Sequence, residues 1–451
     1  MDPSISPETQ ATPPFFKNVE FDGILSCVHC GLCLDVCPTY RELGLEQDSP
    51  RGRLYIMRGL WQNELELNQD AIDPLNRCLD CRACETACPS NVKYGELLEK
   101  TRGIIQENLP QSFKEKLLRE VFLKRVLISK NTLQLVSVLM NVYMTLKIPK
   151  LITSTFLSKI LPKNIVNGQS MLPRFSGSSI KKKYAEKGNL LPTHGREKKF
   201  RVSFFTGCIM DVSESATHEA SLKLLRAAGC EVAIPQEQSC CGALHVHSGD
   251  RQTARTLAKK NLAAFGIDQW DAIITNAAGC GAQLKEYHPL FSDQDSDAKN
   301  EWHAFEEKVI DILEFLSAVP DFPQELPWKN GEEVVLYDAP CHLKHAQGVD
   351  KNPQKLLNLL PGVRLVPLTE SDWCCGSAGI YNLIQADLSN AVLQRKLDSV
   401  EQTLTRHPGA KTIVTGNPGC LFQIRAGIQS RNIPLRVIHP VEYMAERLLE
   451  H

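Results

Sequence analysis

Two observations predict an α+β multidomain chain, a small helical cysteine-rich domain followed by two duplicated α/β lobes. The first is the run "CVHCGLCLDVCPTY", Cys27 to Tyr40. Its four cysteines are separated by two, two and three residues, and a proline follows the last; the pattern recurs at Cys78 to Pro89 as "CLDCRACETACP". The second is a repeat in the C-terminal half. "RVSFFTGCIMD" from Arg201 matches "EVVLYDAPCHL" from Glu333, and "EQSCCGALH" from Glu237 matches "SDWCCGSAG" from Ser371. "DAIITNAAGCGAQL" from Asp271 matches "KTIVTGNPGCLFQI" from Lys411. Each half thus offers strand, cysteine and helix, then Cys-Cys-Gly and helix, then strand, Gly-Cys and helix. Short apolar strands alternating with helical stretches are the pattern of parallel βαβ units. Two copies predict two similar lobes packed with pseudo-two-fold symmetry.

The 451 residues leave room for two or three cores. A formal net charge of −1, with 23 % of residues charged, excludes the basic stripe of a nucleic-acid-binding domain. The start, "MDPSISPETQATPPFF", carries neither a basic n-region nor an apolar run, and is read as a flexible leader rather than a signal peptide. The expected setting is therefore the reducing cytoplasm. There, seventeen cysteines in tight clusters, an odd number, point to metal rather than disulfides. The boundaries expected are a leader at 1–18, the first cysteine-rich domain at 19–108, a helical and then basic connector at 109–198, and lobes at 199–318 and 331–451.

In the first domain the spacing C-x2-C-x2-C-x3-C-P is that of two-cluster bacterial ferredoxins. Three cysteines on one tight loop reach three irons of a cubane. The fourth opens the next helix, points away and completes the other cluster. Cys27, Cys30, Cys33 and Cys88 are therefore assigned to one 4Fe-4S cluster, and Cys37, Cys78, Cys81 and Cys84 to a second. Pro38 and Pro89 stop the helix from running through the ligand turn. Paired zinc sites would need neither the third C-x2-C step nor the trailing C-P. Between the runs, Ser49 with Pro50 reads as a helix start. Arg51 and Arg53 are either solvated or placed to raise a cluster's potential or dock a partner, and His29 reads as a solvent-facing loop residue.

In the connector, "NTLQLVSVLMNVYMTLK" has a charge-free run shorter than the roughly 18 residues a spanning helix needs. It reads as a helix packed over the core, or alternatively as one lying on a membrane surface or a partner. The segment "IKKKYAEKGNLLPTHGREKK" reads as a solvated linker whose basic character also suits anionic lipid.

In the lobes the recurring cysteines form two sets, Cys208, Cys240, Cys241 and Cys280, and Cys341, Cys374, Cys375 and Cys420. Adjacent cysteines rarely bond each other because the small ring is strained, but they can ligate two irons of one cluster. Gly242 and Gly376 allow close approach or positive φ. These sites are expected at the carboxyl ends of strands. Four thiolates per half suit a further 4Fe-4S cluster or a structural zinc alike. Cys230 has no counterpart and reads as a buried free thiol. His245, His247, His342 and His345 read singly as surface or hydrogen-bonding residues, and together as a candidate proton route or tuning shell.

These motifs carry a resemblance. "CVHCG", "CPTY", "SPRGRLY", "CLDCRACETACPS", "SCCGALHVH", "GCGAQLKEY", "HLKHAQ" and "CCGSAGIY" resemble the iron–sulfur subunit of glycolate oxidase (glycolate dehydrogenase), from about residue 22 to the C-terminus. The architecture is similar to that of the corresponding subunit of anaerobic glycerol-3-phosphate dehydrogenase and of lactate-utilisation proteins, and its Cys-Cys-Gly (CCG) domains resemble those of heterodisulfide reductase. The resemblance implies an N-terminal two-cluster ferredoxin-like domain and two CCG lobes. It also implies an electron-transfer role, with FAD on a partner flavoprotein that oxidises glycolate to glyoxylate and a quinone or other acceptor beyond. It further implies a cytoplasmic chain, at most peripheral on the inner membrane, that does not itself bind the hydroxyacid. The lack of any G-x-G-x-x-G after a strand agrees. D-lactate, glycerol-3-phosphate and a disulfide remain alternative substrates. Heterodisulfide reductase domains carry a fifth cysteine, where this sequence has Gln283 and Gln423.

Overall fold

The computed structural model describes residues 22–110, 116–154, 179–185, 190–193, 197–291 and 299–449. The expected leader, 1–18, lies outside them. Residues 22–110 are built from short helices, the main ones Pro38–Leu43, Pro50–Trp61, Gln69–Asn76, Ala83–Thr86 and Tyr94–Asn108. They close around Leu54, Met57, Leu60, Ile72, Leu75 and Leu98. The helix at Pro50 starts as its sequence dictates: Ser49 Oγ accepts the Gly52 amide at 2.9 Å, with Pro50 in the first turn. Pro38 likewise opens a helix, with Cys37 at the N-cap position but no side-chain capping bond. Pro89 does not. A turn follows Cys88 and the next helix starts at Tyr94, so the helix-opening role expected of the fourth cysteine holds for Cys37 alone.

The two lobes repeat one sheet. In the first, β1 (Leu190–Leu191), β3 (Cys230–Ala233), β2 (Phe200–Phe205), β4 (Ala272–Thr275) and β5 (Val309–Asp311) lie side by side in that order. In the second the order is β7 (Val363–Pro367), β6 (Glu333–Tyr337), β8 (Thr412–Val414) and β9 (Arg436–Ile438). Apart from the antiparallel β1 edge, every pairing is parallel, and β3-β2-β4-β5 corresponds to β7-β6-β8-β9. The sequence repeat foresaw β2, β4, β6 and β8. The outer strands β3, β5, β7 and β9 were not anticipated: they are only three to five residues long, and each carries a charged residue.

One apolar core joins the lobes. Val202, Phe204, Leu224 and Leu316 from the first meet Val335, Leu356, Val441 and Met444 from the second. Helix Ser215–Ala227 packs against Pro440–Arg447, and Ile312–Ala318 against Lys351–Asn358. The connector contributes a π-helix, Leu118–Val126, and an α-helix, Lys130–Thr145. Leu123, Leu127 and Leu133 seat them on Val212 and Ile380. The expectation of a solvated basic linker is corrected: in helix Ile180–Ala185, Ile180, Lys181 and Tyr184 are buried, and Leu190–Leu191 pairs with β3. No helix among the described residues is long and apolar enough to cross a membrane.

Candidate metal centres

Each ferredoxin-type loop is turned by left-handed residues at matching places. His29 (φ 52°) and Gly31 (φ 85°) flank Cys30; Asp80 (φ 53°) and Arg82 (φ 62°) flank Cys81. Left-handed backbone on both sides of the middle cysteine curls the loop so that three thiols converge. Arg82 occupies a position that favours glycine. It is held there by Glu85 at 3.0 Å and by Glu286 of the first lobe.

Two small cavities result. One, of about 30 Å³, is lined by Cys27, Cys30, Cys33 and Cys88. The other, of about 20 Å³, is lined by Cys37, Cys78, Cys81 and Cys84. The fourth cysteine of each run thus sits with the other run's loop, and Cys84 borders both cavities. Donors point at the sulfurs: the Asp80 amide (3.4 Å) and the Tyr94 hydroxyl (3.5 Å) at Cys78, and Arg53 Nη1 at Cys37 (3.8 Å). Such donors suit anionic thiolates, and an all-sulfur set of four around a small cavity fits an iron–sulfur cluster. Arg53 is fully buried, bonded to Pro74 O at 2.7 Å, Thr39 Oγ1 at 2.8 Å and Asp48 at 3.2 Å. Burial opposes its charge, but Cys78, Tyr94, Cys37 and Asp48 together hold its pKa above the ordinary value. The solvated reading therefore fails for Arg53. Arg51 is surface-facing, bonded to Glu46 at 2.7 Å and to His29 O at 3.3 Å.

The eight lobe cysteines line one cavity of about 260 Å³ between the two lobes. Each follows the carboxyl end of a strand. Cys208 and Cys240 are 3.4 Å apart, Cys241 and Cys280 3.3 Å, and Cys375 and Cys420 3.4 Å. These separations exceed an S–S bond of about 2.05 Å, and all four residues of each set are free thiols. Gly242 (φ 92°) and Gly376 (φ 86°) direct their amides at Cys240 (3.5 Å) and Cys374 (3.4 Å). A Cβ on Gly376 would lie 2.4 Å from Ser389 O, so only glycine fits. Gln283 and Gln423 are buried, and Gln423 bonds Ser389 Oγ at 3.2 Å. Each half therefore offers four thiolates, a set that fits either a cluster or zinc. Cys230 is fully buried on β3, and burial pushes its thiol up to about 12.

The halves differ in the polar groups around their cysteines. In the second, the buried Lys396 ammonium contacts Asp338 at 2.7 Å and the carbonyls of Glu370 and Ser371 at 2.9 and 3.0 Å. Cys375 is held well below the usual thiol range by its hydrogen bonds with Cys374 and Cys420, with Lys396 adding to them. The first half has a looser buried pair, Lys181 and Asp211 at 3.9 Å, with Lys181 Nζ 3.5 Å from Gly207 O beside Cys208, and a neutral network: Asn261 bonds Cys240 O (3.0 Å) and the Tyr287 hydroxyl (2.8 Å), which donates to Cys241 O (2.9 Å). Sequence reasoning missed these residues. Asp338 stands inside the repeated "YDAPCHL" and was findable there; Lys396 and Asn261 sit within helices with no local signal.

All four histidines make hydrogen-bond-range contacts, one of the two readings given for them singly, and His245, His247 and His345 do so between separate parts of the chain. His247 Nδ1 lies 3.0 Å from Asp80 and 3.4 Å from Glu99, His345 Nδ1 lies 2.9 Å from Thr86 Oγ1, and His245 Nε2 lies 3.2 Å from Leu123 O. His342 Nδ1 is 3.5 Å from Cys341 Sγ. The Tyr381 hydroxyl donates to Arg77 O at 2.8 Å, and Cys81 packs in one cluster with Cys341, Cys374, Trp373 and Tyr381. The second ferredoxin-type set and the second lobe's set are therefore neighbours.

Fold and cysteine sets together define a class: an iron–sulfur protein joining a dicluster ferredoxin-type domain to paired cysteine-rich domains. The profile of the 4Fe-4S dicluster domain matches residues 23–92, and that of the CCG cysteine-rich domain matches 202–285 and 335–425. The probable glycolate oxidase iron-sulfur subunit of Bacillus subtilis (strain 168) is 38% identical over 97% of this chain and 96% of its own length. The glycolate oxidase iron-sulfur subunit of Escherichia coli (strain K12) is 32% identical over 92% and 93%. One subunit of the fumarate reductase (CoM/CoB) of Methanothermobacter marburgensis is 26% identical over 90% of this chain and 68% of its own. The chain belongs to the glycolate oxidase iron–sulfur subunit family.

Proposed function

We propose that this chain carries electrons within a glycolate-oxidising complex, from a partner flavoprotein that holds FAD and the substrate towards a quinone or another acceptor. Cys27, Cys30, Cys33 and Cys88 hold one 4Fe-4S cluster, and Cys37, Cys78, Cys81 and Cys84 the other. The two lobe sets hold a further cluster or zinc. Bound clusters supply one-electron redox chemistry. The chain's own residues supply donors to the sulfurs, at Arg53, Tyr94 and the loop amides, and bury the second ferredoxin-type set and the second lobe's set. The observation that carries this reading is the unbroken succession of cysteine sets. It runs from the exposed Cys30, through Cys84, which borders both small cavities, to Cys81 packed against Cys341 and Cys374. The chain works in the cytoplasm, bound at the inner face of the membrane when its acceptor is a quinone.

The test is anaerobic co-purification of the tagged chain from its host, with iron, zinc and flavin counted per protomer and glycolate- and lactate-dependent dye reduction assayed. Flavin with about eight irons and glycolate activity are expected. A preparation free of flavoprotein and inert towards hydroxyacids would overturn the reading. A second reading, a disulfide reductase, draws on the eight cysteines facing one cavity and on the CoM/CoB relative. Disulfide reduction by the isolated chain without any flavoprotein would favour it.

A further inference from the structure

The helix Lys130–Thr145 shows two faces. Leu133 and Ser137 are buried against the first lobe. On the other side Leu135, Val138, Leu139, Val142 and Leu146 are each between 42 % and 65 % exposed. Their spacing of three, one, three and four residues puts them on one stripe of the helix. No described residue covers that stripe, and no charged residue interrupts the helix between Asn131 and Leu146. Exposed Leu117, just before the preceding π-helix, and Val121 on it add to the apolar surface of the connector.

The connector that carries the stripe is rich in cations. Between residues 116 and 147 the sequence carries six cations, Lys116, Arg119, Lys124, Arg125, Lys130 and Lys147, against the single carboxylate Glu120. Lys124 pairs with Glu120 at 2.8 Å and Asp250 at 3.9 Å and Lys130 with Glu237 at 3.7 Å, whereas Arg125 and Lys147 are exposed with no carboxylate partner among the described residues, Lys147 at the far end of the helix. A protein partner of arbitrary charge does not call for this arrangement. An anionic lipid surface does: the apolar stripe sinks to the acyl boundary while flanking cations meet the phosphates. At 16 residues the helix is too short and too polar to span. The same connector walls the inter-lobe cavity through Phe122, beside the exposed Leu383 of the second lobe. A lipid-soluble acceptor would thus meet the protein on the side where the cysteine sets end.

We infer that helix Lys130–Thr145 is an in-plane membrane anchor, docking this chain on anionic lipid with the inter-lobe cavity beside the bilayer. The inference deepens, and rests on, the reading of a membrane-side acceptor. Its test uses the cluster-loaded, full-length chain sedimented with vesicles of phosphatidylcholine alone or of phosphatidylcholine with phosphatidylglycerol. The wild type is expected to sediment with the anionic vesicles, and less so at high salt. The double variant Leu139→Asp/Val142→Asp should lower the bound fraction about tenfold or more. Arg125→Glu/Lys147→Glu should weaken binding to anionic vesicles only. Both variants alter solvent-facing side chains and should keep cluster absorbance and, in the complex, glycolate-dependent dye reduction. That assay runs without membrane, so its loss in the wild type would sink the electron-transfer reading separately. Three results would overturn the anchor: a wild type that stays in solution with both vesicles, an apolar-stripe variant that binds equally well, or a wild-type dimer that this variant dissociates.

Discussion

Arg53 illustrates what a single side chain does at these centres. Its guanidinium is fully buried 3.8 Å from Cys37 Sγ and is neutralised in part by Asp48, which Arg77 also grips at 2.9 Å. A positive charge there favours adding an electron to whatever the Cys37 set holds. Arg53→Met should therefore lower the midpoint potential of that cluster while Arg77 keeps Asp48 paired, and a redox titration followed by electron paramagnetic resonance reads the shift. An unchanged or raised potential would refute the electrostatic role. Cys88 tests the crossed ligation. Cys88→Ser should abolish the cluster of the Cys27 loop and spare that of its own loop, leaving about half the ferredoxin-type iron. The cysteines were legible because cluster chemistry fixes residue type and spacing. The arginine was visible in "SPRGRLY", but its burial was not, since that depends on Pro74 and Asp48 folding around it. Lys396 was illegible altogether, because its partner Asp338 is distant in sequence and neither announces the pair.

Elements were legible in proportion to the local signals that define them. Helix Pro50–Trp61 declared its start through Ser49 and Pro50. Ser49→Ala should cost about 1 kcal/mol by removing the acceptor for the Gly52 amide, measurable as a lowered thermal midpoint of the loaded protein. Strands β5 and β9, three residues each, gave too few positions for alternation to register. Helix Ile180–Ala185 was hidden by its three lysines. Only the i, i+4 pair Ile180 and Tyr184 betrays a buried face, and Lys181 is buried with Asp211 at 3.9 Å. The stripe of helix Lys130–Thr145 was readable as apolar, whereas which of its faces meets the lobe depended on where Val212 and Ile380 lie.

At the scale of the molecule, the ferredoxin-type domain is locked to the first lobe through His247, wedged between Asp80 and Glu99. Burial alone would lower the histidine's pKa, but hydrogen bonds to the two carboxylates and their charges outweigh it and raise it to about 10. A raised folded-state pKa means that the protonated form stabilises the fold. The contribution is full below the unfolded value of about 6.5 and is lost as pH rises through about 10. The thermal midpoint should therefore fall between those pH values, and His247→Gln should flatten that fall; an equally steep profile in the variant would reject the latch. The duplication of the lobes was plain from the repeated motifs. That both sets of lobe cysteines face one shared cavity was not, because it depends on how helices Ser215–Ala227 and Pro440–Arg447 dock.

The succession of cysteine sets makes one demand of the assembled complex: electrons taken from glycolate must arrive on this chain. Mixing the oxidised, anaerobically purified complex with glycolate and freezing it during turnover, then recording its paramagnetic resonance spectrum, tests this directly. The expected result is the appearance of reduced 4Fe-4S signals, with the signal tied to the Cys27 loop absent in Cys88→Ser. A flavin that is reduced by glycolate while every cluster stays oxidised would contradict it.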